Sequence, residues 1–271
     1  MSKQTQLLII DPQIDFCDPK GALYVTNAEQ DCSRLAKFLS RSLDFVDDIR
    51  VTLDSHQPVH IAHPICWVDS KGNHPSPFTL ILESDVTGAN PKWRAFNPAW
   101  QQRQVDYVKA LATGNRYVLV IWPPHCLIGT PGHAVLPILG TSLREWQDKF
   151  ALIDYVTKGS NPLTEHYSVV KADVIDPADP TTNINTSFIQ RLQSADDILI
   201  AGQALSHCVA NSVRDIAAEF GDEHIKKLIL LEDTTSPVGD QPGSTMFADM
   251  AANFIKEMTA KGMRVAKTTD F

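Results

Sequence analysis

Short apolar runs and helical stripes alternate along this chain. Residues 7–10 are continuously apolar and stop at Asp11-Pro12, the pattern of a strand buried on both faces. Residues 28–42 set Cys32, Leu35, Ala36 and Leu39 at helical spacing. A weaker strand at 46–53 again ends at an acid, Asp54. Residues 117–121 read as a β-rich run ending at Trp122-Pro-Pro, and 150–156 as another ending near Lys158-Gly159. A short helix is expected at 186–192, a strand at 198–201 stopping at Gly202, and a helix at 209–220. A strand at 228–231, a helix within 243–262 closed by Gly262, and a last strand at 263–266 complete the pattern. Strands alternating with helices predict βαβ units with right-handed crossovers. The expected fold class is therefore α/β: a Rossmann-like three-layer fold with a mostly parallel central sheet flanked by helices.

One stretch breaks the rhythm. Residues 63–116 mix prolines, polar residues and the aromatics Trp67, Trp93 and Trp100. A loop of this length inside a compact domain is functional or carries small elements of its own. It reads as a long insertion in a single domain spanning 1–271.

Composition narrows the function classes. Apolar residues make up 43% of the 271 and charged residues 21%, which excludes disorder as the dominant state. The net charge of -8 argues against a nucleic-acid or anionic-membrane binder, because both need a basic surface. No apolar run approaches the roughly 18–20 residues of a membrane span. Residues 1–6 lack the pattern of a signal peptide, and the five cysteines are scattered without a CxxC pair. Both features lead to the expectation of a cytoplasmic protein without a disulfide framework.

In an open parallel sheet, ligands sit outside the carboxyl ends of the strands. The polar residues closing those strands are Asp11, Asp54, Lys158 and the loop from Gly202 to Cys208. Cys208 stands where a strand-loop turns into a helix. The positive end of a helix dipole would lower its pKa, and free backbone N–H groups there could hold an oxyanion. Asp11 is a suitable proton acceptor for the thiol, and Lys158 could hold that acid in place. A buried structural cysteine, a capping Asp and a solvated Lys are the bland alternatives. A second constellation is Asp54-Ser-His56, with His60 and His63 following and His125 in Trp122-Pro-Pro-His-Cys126. Asp and His two apart on a strand end face the same way, and carboxylate plus imidazole suits Zn, Mn or Fe. Ordinary loop histidines are the alternative.

Five blocks in order carry a resemblance. They are Asp11-Pro-Gln-Ile-Asp-Phe16 after its apolar run, Asp54-Ser-His56 with His60, Trp122-Pro-Pro-His-Cys-Leu-Ile-Gly-Thr-Pro-Gly132, Lys158-Gly159, and Gly202-Gln-Ala-Leu-Ser-His-Cys-Val209. The chain resembles the nicotinamidase branch of the isochorismatase-like cysteine hydrolases. The resemblance implies a catalytic set of Asp11, Lys158 and Cys208, with the thiol attacking an amide carbonyl to form a thioester. It implies an oxyanion hole from the N–H groups of Ala204 and Cys208, with a cis peptide before Ala204. It implies Phe16 and Trp122 flanking a pyridine ring. It also implies one divalent metal ion, Zn before Fe or Mn, on Asp54, His56 and His125, with His60 as a possible extra ligand. Ser55, Gln203 and Leu205-Ser206-His207 depart from the family pattern. The implied activity is hydrolysis of nicotinamide or a close heteroaromatic amide to the acid and ammonia, a step of NAD metabolism. The partner is then a small-molecule amide, and a homo-oligomer is compatible with it. A metal-free hydrolase of carbamoyl or aliphatic amides and a catalytically silent binding protein are the competing readings.

Overall fold

The computed structural model describes residues 3–114 and 117–271. Residues 1 and 2 of the N-terminal lead, and 115 and 116 at the end of the expected insertion, lie outside the described residues. Six strands form the central sheet: β1 (Thr5–Ile10), β2 (Asp48–Asp54), β3 (Ile153–Lys158), β4 (Asp197–Gly202), β5 (Leu228–Leu231) and β6 (Arg264–Ala266). Their order is β6-β5-β4-β1-β2-β3, and every pairing is parallel. The expected α/β sheet flanked by helices is found.

The six residues of β1 are all buried, because the sheet is covered on both faces. Its alternate residues serve two cores. Leu7 and Ile9 pack with Leu35, Phe38 and Leu39 of helix α1 (Ala28–Arg41), and with Leu139, Leu143 and Trp146 of helix α2 (Pro137–Gln147). Leu8 and Ile10 face the other layer, with Phe188, Val213, Ile216 and Phe254. Each such side chain, fully buried, contributes about 1.5–3 kcal/mol.

The strand order reverses between β1 and β4, since the chain runs outward through β2 and β3 and then returns to the far side of β1. Such a reversal opens a crevice at the carboxyl ends of the two strands. Asp11 and the loop after Gly202 border it. The close approach there requires glycine: at Gly202, with φ +110°, a Cβ would lie 2.0 Å from the Ile10 carbonyl oxygen.

Two expectations need correction, and one element was not anticipated. The run at 117–121 is not part of the central sheet. It contributes only Leu119–Val120, antiparallel to Leu80–Ile81. The strand expected at 150–156 is Ile153–Lys158, so Lys158 is its last residue, while Phe150 and Leu152 lie exposed before it. Helix α2 was not anticipated, although Leu139, Leu143 and Trp146 lie at helical spacing behind a proline at its first position. The region from 63 onward packs into the larger core through Trp67, Ile81, Tyr107, Val108 and Leu111. It carries a long helix, Gln101–Gly114, and a small antiparallel pair, Trp67–Val68 with Arg94–Ala95.

Candidate active site

Asp11 follows β1 in a left-handed conformation, φ +46°, that turns the chain sharply at the strand end. Its backbone N–H donates to Thr52 Oγ1 at 3.0 Å, and the Thr52 hydroxyl donates to Asp11 Oδ1 at 2.5 Å. Lys158 brings its Nζ 2.8 Å from Asp11 Oδ2, 3.1 Å from Asp54 Oδ1 and 3.5 Å from Cys208 Sγ. All four side chains are buried. Thus the structure brings Asp11, Lys158 and Cys208 into contact from three separate strand ends.

Burial governs the protonation states. It raises the Asp11 pKa, with Asp54 adding to the rise and Lys158 opposing it. Burial alone would lower the Lys158 pKa, but Asp11 and Asp54 outweigh it and keep the ammonium charged. The lowered thiol pKa expected at Cys208 does not hold. Burial pushes the thiol well above its ordinary value, Lys158 opposes, and Asp11 and Asp54 push further upward. Cys208 lies within a turn of π-helix, Leu205–Val209, that leads into the helix Ala210–Phe220. The peptide between Gln203 and Ala204 is cis, as the resemblance implied.

Asp54 ends β2. Its backbone is clamped at both ends by one side chain: the Asp54 N–H donates to Gln13 Oε1, and Gln13 Nε2 donates to the Asp54 carbonyl, each at 2.7 Å. While Oδ1 faces Lys158, Oδ2 lies 2.9 Å from His56 Nε2 and 3.3 Å from His125 Nε2. Each imidazole is oriented by its other nitrogen. His56 Nδ1 bonds the Gly159 carbonyl at 3.0 Å and His125 Nδ1 the Pro123 carbonyl at 2.8 Å, so both present Nε2. The glycine after Lys158 makes room for this. At Gly159, φ +80°, a Cβ would fall 2.7 Å from Asp54 Oδ1 and 2.9 Å from His56 Cε1. Burial would raise the Asp54 pKa, yet His56 and Lys158 hold it well below the usual carboxylate range. Burial would lower that of His56, yet Asp54 lifts it to about 9.

His60 stacks on His56 with ring centroids 4.2 Å apart. Its Nε2 meets the Thr164 carbonyl at 3.2 Å, and its Nδ1 accepts the Ala62 N–H at 3.3 Å. His63 bonds the Pro58 carbonyl through Nδ1 and keeps a buried Nε2 without a hydrogen-bond partner among the described residues.

A tight cavity with only about 20 Å³ of free space opens on Cys208. Its apolar and aromatic walls are Phe16, Leu23, Trp122, Tyr167, His207 and Val238; Asp54, His125, Glu165 and Ala204 complete the lining. Trp122 is fixed by a 2.8 Å bond from its Nε1 to the Tyr167 hydroxyl, and the Phe16 ring lies 5.3 Å from that of His125. Of the departures from the family pattern, Gln203 turns away from the cavity and bonds Asp31 and Ser236, while Ser55 bonds His133. His207 does enter the lining; burial pushes its pKa down to about 3, so it is neutral.

Sequence reading missed Gln13, Thr52, Glu165 and Tyr167. Gln13 lies inside a quoted block, but nothing local shows that its amide would clamp a strand 41 residues away. Glu165 and Tyr167 sit on an aperiodic loop after β3, where no spacing signal exists.

No protein-family model matches the chain, and no curated protein matches it in sequence. In three dimensions it is similar to solved nicotinamidases. The yeast nicotinamidase superposes with a TM-score of 0.63 at 19% identity, over 97% of this chain and 99% of that one. A nicotinamidase/pyrazinamidase of Acinetobacter baumanii gives 0.63 at 19%, over 100% and 99%. The chain has the nicotinamidase fold. The Pyrococcus horikoshii pyrazinamidase, solved in complex with zinc, shares this isochorismatase-like fold at a TM-score of 0.55 and 17% identity, over 97% and 99%. Among the described residues, no helix is long and apolar enough to cross a membrane.

Proposed function

We propose that the chain is a cysteine-dependent amidase acting on nicotinamide or a close heteroaromatic amide. The observation that carries this reading is the contact of one buried ammonium, Lys158, with a carboxylate, Asp11, and a thiol, Cys208, of which the thiol lines an aromatic cavity.

In this reading the amide lies in the cavity with its ring between Phe16 and Trp122. The Cys208 thiol attacks the carbonyl carbon while its proton passes to Asp11. Concerted transfer is what the electrostatics favour, since burial disfavours a free thiolate and raises the proton affinity of Asp11. The N–H groups of Ala204 and Cys208 receive the oxyanion, a contribution of about 3–4 kcal/mol for such donors. Asp11 then gives the proton to the leaving nitrogen, and ammonia departs from a thioester. Water attacks the thioester, Asp11 takes its proton, and the acid leaves with the thiol restored. Lys158 keeps Asp11 ionised between these steps.

Asp54, His56 and His125 fit a divalent cation on three counts. Three ligand atoms lie within 4.8 Å of one another, both imidazoles are anchored through Nδ1, and among the described residues His56 Nε2 has no hydrogen-bond partner despite its 2.9 Å approach to Asp54. When bound, the cation would offer a Lewis-acidic contact to a ring nitrogen and balance the buried carboxylates. Zn is the first expectation. This histidine set also weighs against a metal-free aliphatic amidase, which has no use for it. The five cysteines all stand free and buried, which supports a reducing, cytoplasmic setting.

The test is ammonia release from nicotinamide by the purified protein beside its Cys208→Ala variant. Release that depends on Cys208 is expected. Release that survives the substitution would overturn the mechanism, and no release would overturn the substrate.

A further inference from the structure

A buried polar triangle lies behind the turn that carries Cys208. Gln203 follows β4 directly and is buried, yet it does not line the cavity. Its Nε2 donates to Asp31 Oδ2 at 3.0 Å, and its Oε1 accepts the Ser236 N–H at 3.1 Å. The Ser236 hydroxyl closes the triangle by donating to the same Asp31 oxygen at 2.7 Å. Asp31 is a buried residue of helix α1, and Arg34, one turn on, donates to its Oδ1 at 2.5 Å. Each of the three side chains therefore answers to the other two.

The triangle grips the chain on both sides of Ala204. Before it, the Gln203 side chain is tied to Asp31 and Ser236, and the Gln203 N–H donates to the Ile10 carbonyl at 2.7 Å. After it, the Leu205 N–H donates to the Ser236 carbonyl at 2.8 Å. The same loop is laced one residue further on, where the Val238 N–H donates to Ser206 Oγ at 3.1 Å. Val238, Ala204 and Cys208 all line the cavity. An apolar side chain at 203 would fill the space without the desolvation cost of an amide against a carboxylate. What the polar triangle adds is a single fixed geometry, because each donor has one acceptor to meet. Fixed geometry matters most for a group that must meet a developing charge, where a misplacement of about 1 Å can cost about 10²-fold in rate.

We propose that Asp31, Gln203 and Ser236 are positioning residues for the oxyanion-binding turn: they brace the Ala204 N–H for the transition state and never touch the substrate. The inference rests on the amidase reading above. It gives Gln203, a departure from the family pattern, a task in this chain, and it makes helix α1, on the other layer of the sheet, part of the support of the active site.

The experiment records kcat and KM for ammonia release from nicotinamide, inhibition by pyridine-3-carbaldehyde, and melting temperature. The aldehyde adds reversibly to Cys208: the S–C bond forms, the carbonyl π bond breaks to leave an oxyanion, and the thiol proton passes to Asp11. Its adduct thus places an oxygen where the amide's tetrahedral intermediate has one. Gln203→Leu keeps the volume and removes both amide bonds. Its kcat is expected to fall about 10–100-fold with KM little changed, and aldehyde inhibition should weaken by a similar factor. Gln203→Glu sets two carboxylates against each other and should lose as much. Asp31→Asn combined with Gln203→Glu exchanges amide and carboxylate, so every side of the triangle can re-form; this double variant should recover most of kcat and of the aldehyde affinity. Ser236→Ala removes one side of the triangle, keeps the backbone bonds of residue 236, and should show a smaller loss of the same kind. If Gln203→Leu and Ser236→Ala keep wild-type kcat and aldehyde inhibition, the inference is overturned and the amidase reading stands. If the double variant recovers the melting temperature but not kcat, the triangle only stabilises the fold and the inference is likewise overturned. If wild type neither releases ammonia nor binds the aldehyde, the amidase reading itself fails and the inference falls with it.

Discussion

The two halves of the site share one carboxylate but rest on different physics. In the first, Lys158 sits between Asp11 and Asp54 and touches Cys208, so one ammonium serves both carboxylates. In the second, two imidazole nitrogens converge on the other oxygen of Asp54 and need a proton or a cation among them. The first half is complete in the folded chain. The second would be completed by a bound cation in the proposed reading. Asp54 joins them, one oxygen to each side, so damage to either half should have its own signature.

The largest effect tests the first half alone. Cys208→Ala should lower kcat by at least about 10⁴-fold while leaving metal affinity intact; a parallel loss of metal would show that the halves are not separable. Next comes the joint. Asp54→Asn should reduce kcat by about 10²–10³-fold and weaken cation binding together, measured by turnover and by chelator competition. A variant that loses only the cation would break the link through Oδ1. Then comes the second half. His125→Ala should raise KM about 10-fold or more and lower metal affinity, with a smaller change in kcat. Wild-type KM and metal content would remove His125 from the site.

The pH profile sharpens the first half further. In the proposed mechanism Asp11 must be ionised to accept the thiol proton. Its pKa in the fold is raised by burial, so the ionised fraction is lost as pH falls through that raised value. In cation-saturated enzyme the acid limb of kcat/KM should therefore stand above the ordinary Asp value of about 3.9. A limb at or below it would point to a different proton acceptor. The smallest expected effect is on stability. Gly159→Ala would press a Cβ on Asp54 and His56 at a positive φ, costing about 1–3 kcal/mol and a few degrees of melting temperature.

The fold was legible wherever the signal was local. A run such as 7–10 announces a strand buried on both faces, and the acids that close β1 and β2 mark the rim, because side-chain period and strand ends are properties of a few consecutive residues. The amphipathic helix Pro137–Gln147 carried the same kind of signal and was readable in principle. The short strand Leu119–Val120 was not readable as peripheral, since its apolar run does not say which strand it will pair with. The cysteine shows the limit for chemistry. Its place before a helix is written in the sequence, but its pKa is set by exclusion of water, which only packing determines.

By itself the sequence determined the α/β class, the strand ends, and the residues Asp11, Asp54, Lys158 and Cys208 that stand on them. It did so because β-periodicity and the polar residues that stop it are encoded within a few positions of each other. The tertiary structure alone decided that Asp54 faces both halves of the site, across 104 residues to Lys158. It alone decided that Gln13 clamps Asp54, that Glu165 enters the cavity, and that Tyr107 of the insertion holds the Glu165 backbone. Those contacts join segments distant in the chain, and only the packing of the two layers on the sheet brings their atoms within bonding reach.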